Sequence, residues 1–169
     1  KKNYTDNQLA FNNLLSWFLS KKSKILDKQG EWAVDMVAKN ISVQFLYLKK
    51  EKKKKFKKKV INIKIVNKSY FNKIDKIFFY HVKNLQKNAK KLNIFVQNFL
   101  IHGSFATLDY QKGWSDLDTL VILKEKSILE YKKLKLLRSS ILNLKKYLYK
   151  IDPLQHHGFI FITNLDLSN

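Results

Sequence analysis

The feature that most constrains this chain is a pair of apolar stretches joined by a polar loop. Asn93 to His102 is rich in apolar residues and stops at Gly103-Ser104. After eleven further residues, Asp116-Leu117-Asp118 runs into the apolar run Thr119-Leu120-Val121-Ile122-Leu123. Asn93 to His102 and Leu117 to Leu123 each have the length and residue types of a buried strand. Successive side chains of a strand point to opposite faces, so Asp116 and Asp118 share a face and Leu117 takes the other. Two carboxylates on one face repel each other. A hard, oxygen-preferring cation such as Mg²⁺ between them removes the conflict. Gly103 lets the backbone pass close to a ligand, and Ser104 offers a hydroxyl and an N–H that could grip a phosphate. An Asp-x-Asp pair can simply be solvated and Gly-Ser is usually a turn. The weight lies in their order: strand, Gly-Ser, polar loop, Ser-Asp-x-Asp, strand.

Around this unit the periodicity is mostly helical. Phe11, Leu14, Leu15 and Phe18 mark one helix over residues 5–20, and Asp27-Lys28-Gln29-Gly30 reads as a turn. Val34, Val37, Ile41, Phe45 and Leu48 mark a second helix. Val60 to Val66 has the β-branched residues of a short strand. Phe71, Ile74, Phe78, Val82, Leu85, Ala89 and Leu92 predict a third helix. A long helix is expected from Glu125 to Tyr149, with Leu134, Leu137, Ile141, Leu144 and Leu148 inside and Asp152-Pro153 ending it. Phe159 to Thr163 reads as a last strand. This is an α/β arrangement: a small mixed sheet with packed helices, preceded by a helical N-terminal segment. Residues 1–69 are read as that segment, with its lysine run, and 70–169 as the core. The chain starts without Met and stops just after an apolar run, so it reads as a piece of something longer.

The order of the central motif resembles the nucleotidyltransferase superfamily of DNA polymerase β type, whose signature is an apolar residue, Gly, Gly or Ser, a spacer of about a dozen residues, then Asp-x-Asp or Asp-x-Glu. Gly103-Ser104 and Asp116-Leu117-Asp118 match it, and Ser115 precedes the pair as in small bacterial members. The resemblance covers residues 94–124 closely and 70–163 more loosely. It implies a core of the superfamily's fold and a two-metal transfer of a nucleoside monophosphate from a nucleoside triphosphate such as ATP to an acceptor hydroxyl, with release of pyrophosphate. Asp116 and Asp118 would hold Mg²⁺ (or Mn²⁺), Gly103 and Ser104 would meet the β- and γ-phosphates, and Lys112 would add positive charge near the leaving group. The family's third carboxylate has no counterpart in Leu154-Gln155-His156-His157-Gly158. Asp152, Asp166, His156 or His157 is left to fill the place, and His157 is the candidate base. A catalytically silent nucleotide- or nucleic-acid-binding module of the same fold is the alternative. His102 reads as a packed strand-end residue.

Charge bears on the partner. The chain carries 34 basic and 13 acidic residues, net +21. Lys49 to Lys59 contributes nine lysines against one glutamate. That run reads as a phosphate-contacting arm or as a solvated stretch of like charges. Only Arg138 is arginine, and arginine is the favoured residue for bidentate phosphate recognition. Asn, Ile, Phe and Tyr are abundant too, as nucleotide bias toward A and T would produce. The acceptor is therefore open: a small molecule, a protein side chain or a nucleic-acid end. No cysteine is present, which removes disulfides and thiolate metal sites. No secretion signal or membrane span is expected, and the expected location is cytoplasmic.

Overall fold

The computed structural model describes residues 2–51, 76–107, 109–111, 114–153 and 158–168. Helix α1 (Lys2–Ser20) and helix α2 (Lys24–Glu51) come first. Then follow α3 (Lys76–Lys90), strand β1 (Val96–Ile101), the short helix α4 (Ser104–Thr107) and β2 (Thr119–Leu123). The chain continues through α5 (Glu125–Leu129), α6 (Tyr131–Ile151) and β3 (Phe159–Ile162) to a 3-10 turn at Asp166–Ser168. The expected strand Val60–Val66 and residues 52–59 of the lysine run lie outside the described residues, as do residues 70–75 of the third predicted helix.

The sheet order is β1-β2-β3, antiparallel between β1 and β2 and parallel between β2 and β3. It is thus the mixed sheet the element order predicts. A bulge between Val96 and Asn98 shifts the register at the start of β1. Val121, Leu123, Phe159 and Phe161 turn inward from the sheet. On them and on one another pack the apolar stripes of the helices: Leu15 and Phe18 of α1, Ile41 and Phe45 of α2, and Val82 and Leu85 of α3, all buried. The predicted stripe of α6, Leu134, Leu137, Ile141, Leu144 and Leu148, is buried in full. Helix α6 is the shared wall, touching α1, α2, α3 and α5. Among the described residues no helix is long and apolar enough to cross a membrane.

Two features depart from the sequence reading. The long helix predicted from residue 125 is broken at Glu130, whose backbone is extended (φ −99°, ψ 99°). The Ser42 hydroxyl donates to the carbonyl of Ile128 at 2.6 Å, an oxygen that an unbroken helix would offer to the amide four residues on. Docking α5 against α2 thus competes with helix continuity. Arg138 is the second feature: it lies on the buried face of α6, 5% exposed. Its guanidinium donates to the carbonyls of Phe18 and Lys21 and sits 5.2 Å from the Phe18 ring centroid. Lys145 Nζ donates to Ser20 O at 3.0 Å. Two cations from α6 therefore satisfy carbonyls at the negative end of α1. Burial holds the Arg138 pKa below its ordinary value, with the Asp27 carboxylate opposing.

Candidate active site

The corner forms where β1 ends and β2 begins. The His102 N–H donates to the Asp118 carbonyl at 3.0 Å, which carries the β1–β2 pairing one residue past Ile101 and Thr119. His102 and Asp118 are thus opposite one another, on the same face of the sheet. At Gly103 the backbone swings to a positive φ of 66° and enters α4. The Gly103 carbonyl accepts the amides of Ala106 and Thr107 at 2.9 and 3.1 Å. Phe105, fully buried, anchors α4 and meets the Tyr110 ring edge-on at 5.5 Å.

Gly103 is required twice over. A positive φ disfavours a side chain, and a Cβ there would lie 2.3 Å from Asp118 Oδ2 and 3.2 Å from Asp118 Cγ. The Asp118 carboxylate therefore rests directly against the Gly103 backbone. Leu117 is fully buried while Asp116 and Asp118 are partly exposed, as strand alternation demands. Pairing assigned to β2 begins at Thr119 rather than at Leu117. The loop before the pair is closed by its own bonds: the Ser115 and Trp114 amides donate to Gln111 O, and Ser115 Oγ accepts the Gln111 amide at 3.0 Å.

Four of the six residues singled out from sequence, Gly103, Ser104, Asp116 and Asp118, come to this corner. The other two, Lys112 and His157, lie outside the described residues, as does His156. Among the described residues no three His, Asp or Glu side chains gather as a metal-holding group. Asp166 stands at the far end of β3. Its Oδ2 accepts the Thr163 amide and hydroxyl at 2.6 and 2.9 Å, and its Oδ1 accepts Asn12 Nδ2 at 2.6 Å. It fastens β3 to α1. Asp152 lies beside the corner: it is 8% exposed, and its Oδ2 accepts the backbone N–H of Leu117 at 3.4 Å. That amide sits between the two aspartates, so Asp152 holds the backbone that presents them.

Tyr110 is the residue sequence reasoning missed. Its pKa is pushed up to about 12, first by burial, then by the negative charges of Asp152 and Asp116. Its phenol stays protonated beside two carboxylates. Nothing in the loop composition announces this, because the residue depends on Asp152, forty-two positions away in the chain. His102 presents a different feature: its Nε2 is buried with no hydrogen-bonding partner among the described residues.

A pair of oxygen donors on one face, with a glycine cradle that a Cβ would fill, suits a hard divalent cation and the phosphates that accompany it. No curated protein and no solved structure matches the chain. Residues 82–163, which hold the whole corner, match the family model of the nucleotidyltransferase domain.

Proposed function

We propose that the protein transfers a nucleoside monophosphate from a nucleoside triphosphate to an acceptor hydroxyl. The observation that carries the proposal is the seating of the Asp118 carboxylate against Gly103, within a segment matching the nucleotidyltransferase domain. Asp116 and Asp118 would hold Mg²⁺ or Mn²⁺, in the two-metal arrangement that the family resemblance implies. When bound, such ions neutralise the triphosphate and lower the pKa of the attacking hydroxyl.

The chain's own residues supply position. The Gly103 backbone, bare of a side chain, lets the β- and γ-phosphates approach, and Ser104 offers them its hydroxyl and N–H. Asp152, through the Leu117 amide, keeps the aspartate pair in register with Gly103. The acceptor oxygen bonds to the α-phosphorus as the bond from that phosphorus to the bridging oxygen breaks, and pyrophosphate leaves. The hydroxyl proton passes to a base, for which His157 is the candidate. In such a transfer, positioning and charge neutralisation supply nearly all the acceleration.

The test is incubation of the full chain with each α-labelled NTP and Mg²⁺ or Mn²⁺, reading pyrophosphate release and label transfer. Turnover that vanishes in Asp116→Ala and Asp118→Ala supports the proposal. Binding of NTP without pyrophosphate from any of the four would establish the silent module instead. The observation favouring that second reading is that, among the described residues, no group of three side chains able to hold a metal ion forms.

A further inference from the structure

Helix α2 is apolar on two opposite faces. Past its kink at Gly30 it packs on α1, α5 and α6, with Ala38, Ile41, Phe45 and Leu48 all buried. The other face carries Trp32, Met36, Val43 and Tyr47, each half or more exposed, with Leu46 exposed beside them. At about 100° of turn per residue, positions spaced by four, seven and four fall on one stripe. A helix that packs on one side only carries polar residues on the other. Single apolar residues at a surface need no explanation, but a continuous row of them marks a contact surface.

Two properties of the row say what covers it. The first is its order. The spacing reads the same from either end, with the aromatic Trp32 and Tyr47 outermost and Met36 and Val43 inside. Both pairs are symmetric about a point between Lys39 and Asn40. An isologous contact requires that symmetry, since a residue i that meets j must also be met by it. Two copies of α2 laid antiparallel set Trp32 against Tyr47 and Met36 against Val43, each pair formed twice. The second property is charge. A chain of net +21 repels its own copy, yet most of the charges beside the row are taken up within the chain. Lys135 pairs with Glu31 at 2.9 Å and with Asp35, and Lys49 pairs with Glu125 at 2.5 Å. Lys39, the one cation near the centre, holds its ammonium 5.1 Å from the Tyr131 ring centroid. Lys50 is exposed, but it lies past Tyr47 and so beyond the ends of the paired rows.

From this order and this charge balance we infer that the protein forms a two-fold dimer through the exposed row of α2, antiparallel to the same helix of a second copy. At about 1.5 Å per residue the row is roughly 22 Å long. One helix pair of that length buries less than the roughly 1,200 Å² at which standard interfaces begin. The dimer is therefore a reversible one, with dissociation in about the micromolar range. Helix α2 lies outside residues 82–163, so the inference does not depend on the transfer chemistry proposed above.

The experiment is sedimentation velocity of the full chain from about 1 to 200 µM, at about 50 and 300 mM salt. The expected result is a monomer–dimer equilibrium that tightens with salt, because screening relieves the repulsion between two like-charged chains. Met36→Glu combined with Val43→Glu should weaken it about tenfold or more with the circular dichroism unchanged. Leu136→Glu, at a comparably exposed apolar residue of α6, should leave it as it was. Because the chain has no cysteine, one introduced thiol can bridge only to another copy. Under diamide, Asn40→Cys, beside the symmetry axis, should cross-link to itself. Met36→Cys and Val43→Cys each lie about 10 Å along the axis from their own counterparts, beyond the reach of a disulfide, and should link only when mixed. A monomer across the whole range, a dimer untouched by Met36→Glu with Val43→Glu, or a dimer that salt dissolves would each overturn the inference. So would Met36→Cys linking to itself as readily as to Val43→Cys, which is the outcome of parallel pairing.

Discussion

Gly103 and Gly30 have nearly the same backbone angle, φ 66° and φ 72°, in surroundings that could hardly differ more. Gly30 kinks α2 at the surface, and a Cβ added there meets nothing within 4 Å. Gly103 turns the chain out of β1, and a Cβ there meets the Asp118 carboxylate. Both positions have a positive φ, which costs an ordinary side chain about 1–3 kcal/mol. At Gly103 the neighbour that must yield is the end of a side chain, so the protein can relieve the clash by swinging Asp118 aside. Relief preserves the fold and spoils the site. A shared positive φ therefore separates a structural glycine from one at the site only when the neighbouring atoms are considered.

Gly103→Ala should give the largest separation. Stability in urea falls by about 1–3 kcal/mol, while nucleotidyl transfer falls about a hundredfold or more, as a misplacement near 1 Å at a reacting centre does. A loss of transfer no larger than the loss of stability accounts for would break the comparison. Asp152→Ala comes next. It removes the acceptor for the Leu117 amide, and supporting hydrogen bonds of this kind are worth about 10- to 100-fold in metal affinity or activity. Terbium luminescence titration reads the affinity without requiring turnover, and Asp152→Asn, which keeps an acceptor oxygen, should recover most of it. Gly30→Ala is smaller in its effect on the site: about 1–3 kcal/mol in urea, with no change in transfer. Gly103→Asn should stay as inactive as Gly103→Ala, since any Cβ displaces Asp118.

The sequence disclosed those parts of the molecule that depend on period and order. The stripe of α6 follows from a spacing of three and four, and every residue named for it is buried. The exposure of Asp116 and Asp118 around a buried Leu117 follows from strand alternation. What stayed hidden depends on partners distant in the chain. The break at Glu130 needs Ser42 to take the Ile128 carbonyl. The burial of Arg138 needs the end of α1 to supply carbonyls, since an isolated guanidinium would not leave water. Asp152 and Asp166 looked alike as spare acids near the last strand. Only the fold shows that one fixes the aspartate loop and the other ties β3 to α1.

Tyr110 supplies the smallest effect and the most direct report on the charge of the corner. Its pKa of about 12 lies above the ordinary 10.0, with burial first and Asp152 and Asp116 following as causes. A raised pKa means that the folded protein keeps the phenol proton more tightly than the unfolded chain does. The resulting stability is fully present below pH 10 and is lost as pH rises from 10 through 12. The ring is only partly buried, so solvent screening keeps the loss small. Spectrophotometric titration of the phenolate should show one late component that is absent in Tyr110→Phe. In Asp152→Asn that component should shift to lower pH, because the second of the three causes is gone while burial remains. If it shifts equally in Gly30→Ala, Tyr110 reports general loosening of the fold and not the carboxylates around it.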